Sequence, residues 1–242
     1  MALDYTVRGS GEPTLVFTHG ISASADTWRL QLPAFEGVCR TVCWDLRGHG
    51  RSESPAGPYD LGDLARDMLQ VADAVGAAQI VPVGHSAGGA IALRFALDHL
   101  DRTRALVLVG TASEANEKAR DFYRELAGIA EERGMEPVVK RLGMAREAAN
   151  LVPADPRGFA HVTRAMAGLN EHPMTDRLGE ISCPTLILVG EKDFLGAGGS
   201  VIMSRRIAGS ELQIVAGRGH GLFLEDPDDF NERVLAFVRK LQ

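Results

Sequence analysis

The segment Gly84-His85-Ser86-Ala87-Gly88 sets a hydroxyl between small residues, at the end of the apolar run Ile80-Val81-Pro82-Val83 and ahead of a helical pattern. Glycines two before and two after the serine permit a sharp strand-to-helix turn, with the serine held in a strained conformation and its hydroxyl raised above a sheet. A serine is a useful nucleophile only beside a base. His220, in Gly217-Arg218-Gly219-His220-Gly221, follows the last strand-like run and is the candidate base. Loops at the C-terminal ends of strands are where α/β folds place their chemistry. An imidazole acting as a base needs a carboxylate to hold its tautomer and stabilise its cation. Asp193, in Val189-Gly190-Glu191-Lys192-Asp193, is the candidate, with nearby Glu191 and the more distant Glu114 as alternatives. A tetrahedral intermediate on Ser86 needs two hydrogen-bond donors. The Ala87 N–H, which opens the helix, is one, and the Ile21 N–H in the loop His19-Gly20-Ile21 is assigned as the other.

The elements that must position these groups read as an α/β alternation. Apolar runs at Leu15–Phe17, Thr41–Trp44, Ile80–Val83, Ala105–Val109, Thr185–Val189 and Leu212–Val215 are continuous rather than alternating, as expected of strands buried on both faces of a parallel sheet. Helical patterns fall between them at Leu61–Val75 and at Ala87–Leu97, which is apolar nearly all round, and Asp228–Leu241 closes the chain. The expectation is a mostly parallel central sheet of about seven strands flanked by helices. Residues 113–177 break the rhythm with helical spacing only (Ala115, Ala119, Phe122, Leu126, Ile129; then Phe159, Val162, Met166, Leu169). They are expected to form a helical cap on a core made of 1–112 and 178–242. Four of the seven methionines (135, 144, 166 and 174) fall in that insertion, suited either to an apolar pocket roof or to packing between helices.

Composition excludes several classes. The chain has 242 residues, 45% hydrophobic and 24% charged, with 26 Lys plus Arg against 32 Asp plus Glu for a net charge of −6. That is an ordinary globular balance without the basic face a nucleic-acid partner requires. Three cysteines, 39, 43 and 183, make no disulfide framework and read as reduced thiols. Gly84–Gly89 is neither G-x-G-x-x-G nor a P-loop, and the seven histidines include no H-E-x-x-H. No cofactor or metal is therefore implied. There is no signal-peptide pattern and no apolar run long enough to span a membrane, so a soluble, cytoplasmic protein is expected. Oligomeric state is not legible.

The chain resembles the α/β-hydrolase superfamily over nearly its whole length. The resemblance rests on His19-Gly20, Trp28, Asp45-Leu46-Arg47-Gly48-His49-Gly50-Arg51-Ser52, Gly84–Gly89, Gly190–Asp193, and Gly219-His220 followed by Glu225-Asp226-Pro227. The order Ser86, Asp193, His220 is that family's triad order. The 45–52 turn looks structural. The nearest look-alikes are small esterases, enol-lactonases, carbon–carbon bond hydrolases and haloperoxidase-like members. The chain departs from the pattern in two places. Only Leu3–Val7 precedes the first glycine turn, which implies seven strands or a very short eighth, and Phe194–Gly199 after Asp193 is rich in glycine. The expected activity is hydrolysis of small, mostly apolar carboxylic esters or lactones through an acyl-enzyme on Ser86. The alternatives are a carbon–carbon bond hydrolase, for which Arg124, Arg141, Arg146 and Arg164 are candidate carboxylate grips, and a ligand receptor on the same scaffold. His19, Trp28, His85, Met144 and Met166 are candidates for the pocket lining, with a structural role the stronger reading for His19.

Overall fold

The computed structural model describes residues 1–142 and 155–241. The continuous apolar runs become strands, joined by one more at the start of the chain. They are β1 (Tyr5–Arg8), β2 (Thr14–Thr18), β3 (Arg40–Trp44), β4 (Val81–His85), β5 (Leu106–Val109), β6 (Thr185–Gly190) and β7 (Glu211–Val215). They form one sheet in the order β1-β3-β2-β4-β5-β6-β7. β1 runs antiparallel to β3, and the remaining neighbours are parallel. Every residue of β2, β5 and β6 is buried, as continuous apolar runs require. β7 departs from that expectation. It is an edge strand covered on one side only, and Ile214 is 51% exposed.

Side chains of a strand alternate between faces, and the two apolar layers follow that parity. Val16, Val42, Trp44, Leu106 and Leu108 pack with helices α2 (Leu61–Ala74) and α3 (Ala87–Asp98). α1 is the short helix Leu32–Phe35. Leu15, Phe17, Cys43, Val107 and Val109 meet the opposite layer, where Trp28, Phe35 and the C-terminal helix lie. α2 begins at a reciprocal cap in which the Asp60 side chain accepts from Asp63 N–H and the Asp63 side chain accepts from Asp60 N–H. α3 is buried along almost its whole length, as its all-round apolar sequence demands.

Between β5 and β6 the described residues are helical or irregular. α4 (Glu117–Arg133), α5 (Met135–Arg141) and α6 (Pro156–Ala167) are the main elements, and α4 packs along α6. After β6 come α7 (Gly198–Arg206), α8 (Leu222–Glu225) and α9 (Pro227–Arg239). No described helix is long and apolar enough to cross a membrane. All three cysteines are free.

Strand register decides what meets above the sheet. Thr18 pairs with Gly84, His85 with Val109, Val109 with Leu188, and Gly190 with Val215. The C-terminal ends of β2, β4, β5, β6 and β7 are therefore nearly level. The chain leaves β2 towards β3 and resumes on the other side at β4, so the crevice at the β2–β4 boundary is a topological switch point. The loops carrying Gly20 and Ser86 leave β2 and β4 there, and those carrying Asp193 and His220 leave the same edge of the sheet from β6 and β7.

Candidate active site

Ser86 sits between β4 and α3 at φ 54° and ψ −118°, the sole non-glycine residue with positive φ among the described residues. Its N–H donates to the Val109 carbonyl (2.9 Å), and its carbonyl accepts from Gly89 N–H, Ala90 N–H and Thr111 Oγ1. These bonds hold the backbone in a conformation worth roughly 1–3 kcal/mol of strain. The turn also needs Gly88, where a Cβ would stand 2.3 Å from the Thr18 carbonyl oxygen. Ala87 N–H opens α3, and a first-turn N–H has no acceptor within its own helix. It is free to serve an anion beside Ser86.

The imidazole of His220 meets a carboxylate, with Nδ1 2.9 Å from Asp193 Oδ2 and 3.0 Å from Oδ1. The Asp193 side chain is fully buried, and its Oδ1 also accepts from Leu195 N–H. A buried acceptor on Nδ1 favours the proton there and leaves Nε2 as the basic nitrogen. The loop beneath His220 is tied by three further groups. Glu191 accepts from Gly217 N–H, Glu225 accepts from Gly219 N–H, and His85 Nε2–H donates to the His220 carbonyl (3.0 Å). Glu191 thus holds the loop, while Glu114 accepts from Thr175 Oγ1. Asp193 alone of the three candidate carboxylates is bonded to the imidazole. His85 is pushed well below its ordinary range by burial first and by neighbouring His220 second, so it stays neutral and acts as a strut between the Ser86 turn and the His220 loop.

His19 Nδ1–H donates to the Gly20 carbonyl (2.8 Å), and its Nε2 accepts from Leu46 N–H (3.1 Å). Both bonds suit a single neutral tautomer. Burial, then the neighbouring His49, lowers the His19 pKa to about 3. His49 Nε2–H donates to the Ile21 carbonyl (2.6 Å). Because the peptide is trans, anchoring the Gly20 carbonyl turns the Ile21 N–H the opposite way. Gly20 lies against the serine, since a Cβ on it would be 3.4 Å from Ser86 Cβ. The 45–52 turn is held by Asp45, which accepts from Ala25 N–H and Arg51 N–H, and by Arg47, which forks onto Asp67.

Two cavities open at Ser86, of about 270 and 330 Å³. The smaller is lined by Ile21, His85 and His220 together with Phe122, Phe194 and Phe223. The larger runs under the helical segment past Thr111, Glu114, Asn116 and Met166. Of the predicted lining residues, His85 and Met166 are in place. Trp28 and His19 line neither cavity, which corrects the placement of Trp28 and leaves His19 with the structural role that was its stronger reading. Trp28 is fully buried, stacked on Phe223 at 4.4 Å between centroids, because an indole of that size gains more from full burial in the aromatic layer than from a solvent-open crevice. His19 is wholly buried beneath the loop it braces. Met144 and Arg146 lie outside the described residues, and Met174 is packed in the core. Sequence reasoning missed Tyr123 and Leu195, which line both cavities, and Phe194, whose ring lies 4.6 Å from that of His220. The available signal was a pair of bulky apolar residues, Phe194-Leu195, inside a glycine-rich loop. Among the described residues no group of three or more His, Cys, Asp or Glu side chains is placed to hold a metal ion.

Comparison with known proteins agrees with this architecture. Residues 15–233 match the model of the alpha/beta hydrolase family. A putative carbamate hydrolase RutD of Caulobacter segnis is 30% identical over 259 aligned positions, which cover 97% of this chain and 95% of that protein. A thermophilic esterase from Thermogutta terrifontis superposes with a TM-score of 0.90 at 26% identity, covering 99% of this chain and 93% of that one. The enol-lactonase from Burkholderia xenovorans superposes with a TM-score of 0.86 at 25% identity, covering 98% and 96%. With the family's sheet, its serine turn and a family match across most of its length, this chain belongs to the alpha/beta hydrolase family.

Proposed function

We propose that the chain is a serine hydrolase cleaving small, mostly apolar carboxylic esters or lactones through an acyl-enzyme on Ser86. His220 Nε2 takes the Ser86 proton as Oγ bonds to the carbonyl carbon, and the former carbonyl oxygen becomes an anion held by the Ile21 and Ala87 N–H groups. The bond to the leaving oxygen then breaks as His220 returns the proton to it. Water, activated by the same imidazole, adds to the acyl group and frees Ser86. Asp193 keeps the proton on Nδ1 and stabilises the imidazolium. Helices α4 and α6, within the segment 113–177 read as a cap, roof the pocket. The observation that carries this reading is the strained Ser86 opening onto the same cavity as an imidazole backed by a buried carboxylate. A carbamate carbonyl would meet the same groups, so the relatives' names are compatible with one attack on different acyl derivatives.

The carbon–carbon bond alternative is disfavoured by the placement of the cap arginines. Arg124, Arg141 and Arg164 pair at the surface with Glu171, Glu125 and Glu131, and no described arginine lines either cavity at Ser86. A receptor on this scaffold would show a single covalent event instead of repeated turnover. The test is labelling with a fluorophosphonate and mapping of the modified peptide, beside steady-state hydrolysis of p-nitrophenyl acetate. Ser86 should carry the label, and Ser86→Ala and His220→Ala should each lose about 10⁴-fold or more in kcat. Label on another serine, or wild-type turnover in either variant, would reject the reading.

A further inference from the structure

We propose that the cavity containing Glu114 is the acyl subsite and that it selects by charge, taking acyl chains with a neutral or cationic end and rejecting anionic ones. This inference rests on the serine-hydrolase reading above. Four bonds leave the reacting carbon in the tetrahedral intermediate. One bond goes to Ser86 Oγ. The oxyanion must face Ile21 and Ala87 N–H, and the leaving oxygen must lie within reach of His220, which protonates it. Ile21 and His220 both line the smaller, aromatic cavity, and neither lines the larger one. The acyl chain is left with the remaining opening from Ser86, past the partition made by Tyr123 and Leu195 into the larger cavity.

Among the described residues, that larger cavity has one charged group and no opposing charge. Its walls are Thr111, Ala119, Met166, Leu169 and Ile202, and its polar end carries Glu114 and Asn116. No Lys, Arg or His is among the described residues that line it. Glu114 forms no ion pair with a described residue, and Arg206 is bonded to Asp176 and the Thr175 carbonyl. The carboxylate is held in place. Thr175 Oγ1 donates to Glu114 Oε2, so the 2.8 Å contact between Ser113 and Thr175 must use the Ser113 proton, and both hydroxyl residues are buried. Oε1 remains available to a ligand. A chain with a cationic end is attracted to the carboxylate, and one whose cation carries N–H adds a charge-assisted hydrogen bond, while a chain ending in carboxylate meets like charge. Glu114 is itself exposed, so screening limits the effect to about tenfold at most rather than a complete switch.

The test uses phenyl esters with one leaving group and three acyl chains of similar length: pentanoate (neutral), hydrogen glutarate (anionic) and 4-(trimethylammonio)butanoate (cationic). The wild-type chain should favour the cationic over the anionic ester by about five- to tenfold in kcat/KM. Glu114→Gln should reduce that ratio at least about threefold. Should that variant fail to fold, the wild-type ratio measured from 0.05 to 0.5 M salt should fall as the charge is screened. A ratio near one that neither substitution nor salt moves, with phenyl pentanoate still hydrolysed, overturns the acyl-subsite proposal and leaves the hydrolase reading standing. No hydrolysis of phenyl pentanoate together with no fluorophosphonate label on Ser86 overturns the hydrolase reading itself. Charge discrimination that follows the alcohol instead, in 4-carboxyphenyl against phenyl acetate, and that Glu114→Gln abolishes, would show the two cavities to be assigned the wrong way round.

Discussion

His19 takes up no second proton in the folded chain until the solution is strongly acidic, and that ties a loop of the site to pH. Its folded pKa is lowered to about 3 from 6.5, by burial first and by His49 second. Above pH 6.5 the imidazole is neutral in both states and its contribution is complete. As pH falls below 6.5 the unfolded chain takes up a proton that the folded chain refuses, so stability is lost steadily until pH approaches 3. The loss from this group is about 1.4 kcal/mol per pH unit, or about 2 kcal/mol by pH 5. His49 and His85 are lowered in the same direction. Denaturant unfolding between pH 7 and 5 should therefore show stability falling with acid. His19→Gln, which can still donate to Gly20 and accept from Leu46, should flatten that slope by about one proton. An unchanged slope would mean that His19 does not remain neutral in the fold.

At the scale of elements, the 45–52 turn does more than close a loop. Gly48 and Gly158 meet backbone to backbone, so that a Cβ on Gly158 would stand 2.3 Å from Gly48 Cα. This contact seats the start of α6 on the turn that also anchors α2 through the Arg47–Asp67 fork. Gly158→Ala must push the two elements apart, at a cost of about 1–3 kcal/mol. Because Met166 lies on the same helix and lines the larger cavity, KM for longer acyl chains should change more than KM for acetate. Thermal unfolding and a chain-length series on the variant check both parts. Equal KM changes along the series would detach α6 from the pocket. The pairing of Gly48 with Gly158 was not legible in the sequence, since nothing local to either glycine announces a partner more than a hundred residues away.

Across the whole molecule, one aromatic layer binds the two ends of the chain. Trp28 stacks on Phe223 and lies beside Phe17 and Phe230, joining residues before β3 to residues after β7. Trp28→Ala should cost about 3–5 kcal/mol. Since Trp28 touches neither cavity, the fraction that remains folded should hydrolyse p-nitrophenyl acetate with unchanged KM. A large KM change without loss of stability would return Trp28 to the pocket. The six apolar runs and the turn at Ser86 were legible because each is a local pattern: a buried strand needs a continuous apolar run, and a tight turn needs glycine. The exposed Ile214 on β7 was not, since the same run of residues serves an inner strand or an edge.

From the sequence alone came the α/β alternation, the candidate nucleophile with its base and acid, and the helical nature of the insertion, all encoded in residue type and short-range spacing. Tertiary structure decided which carboxylate faces His220, that Trp28 belongs to the core, and that Ser86 opens onto two cavities of different polarity. Those outcomes depend on strand register and on how helices from distant segments come together. Such contacts are set by the summed packing of many residues, and no single stretch of chain encodes them.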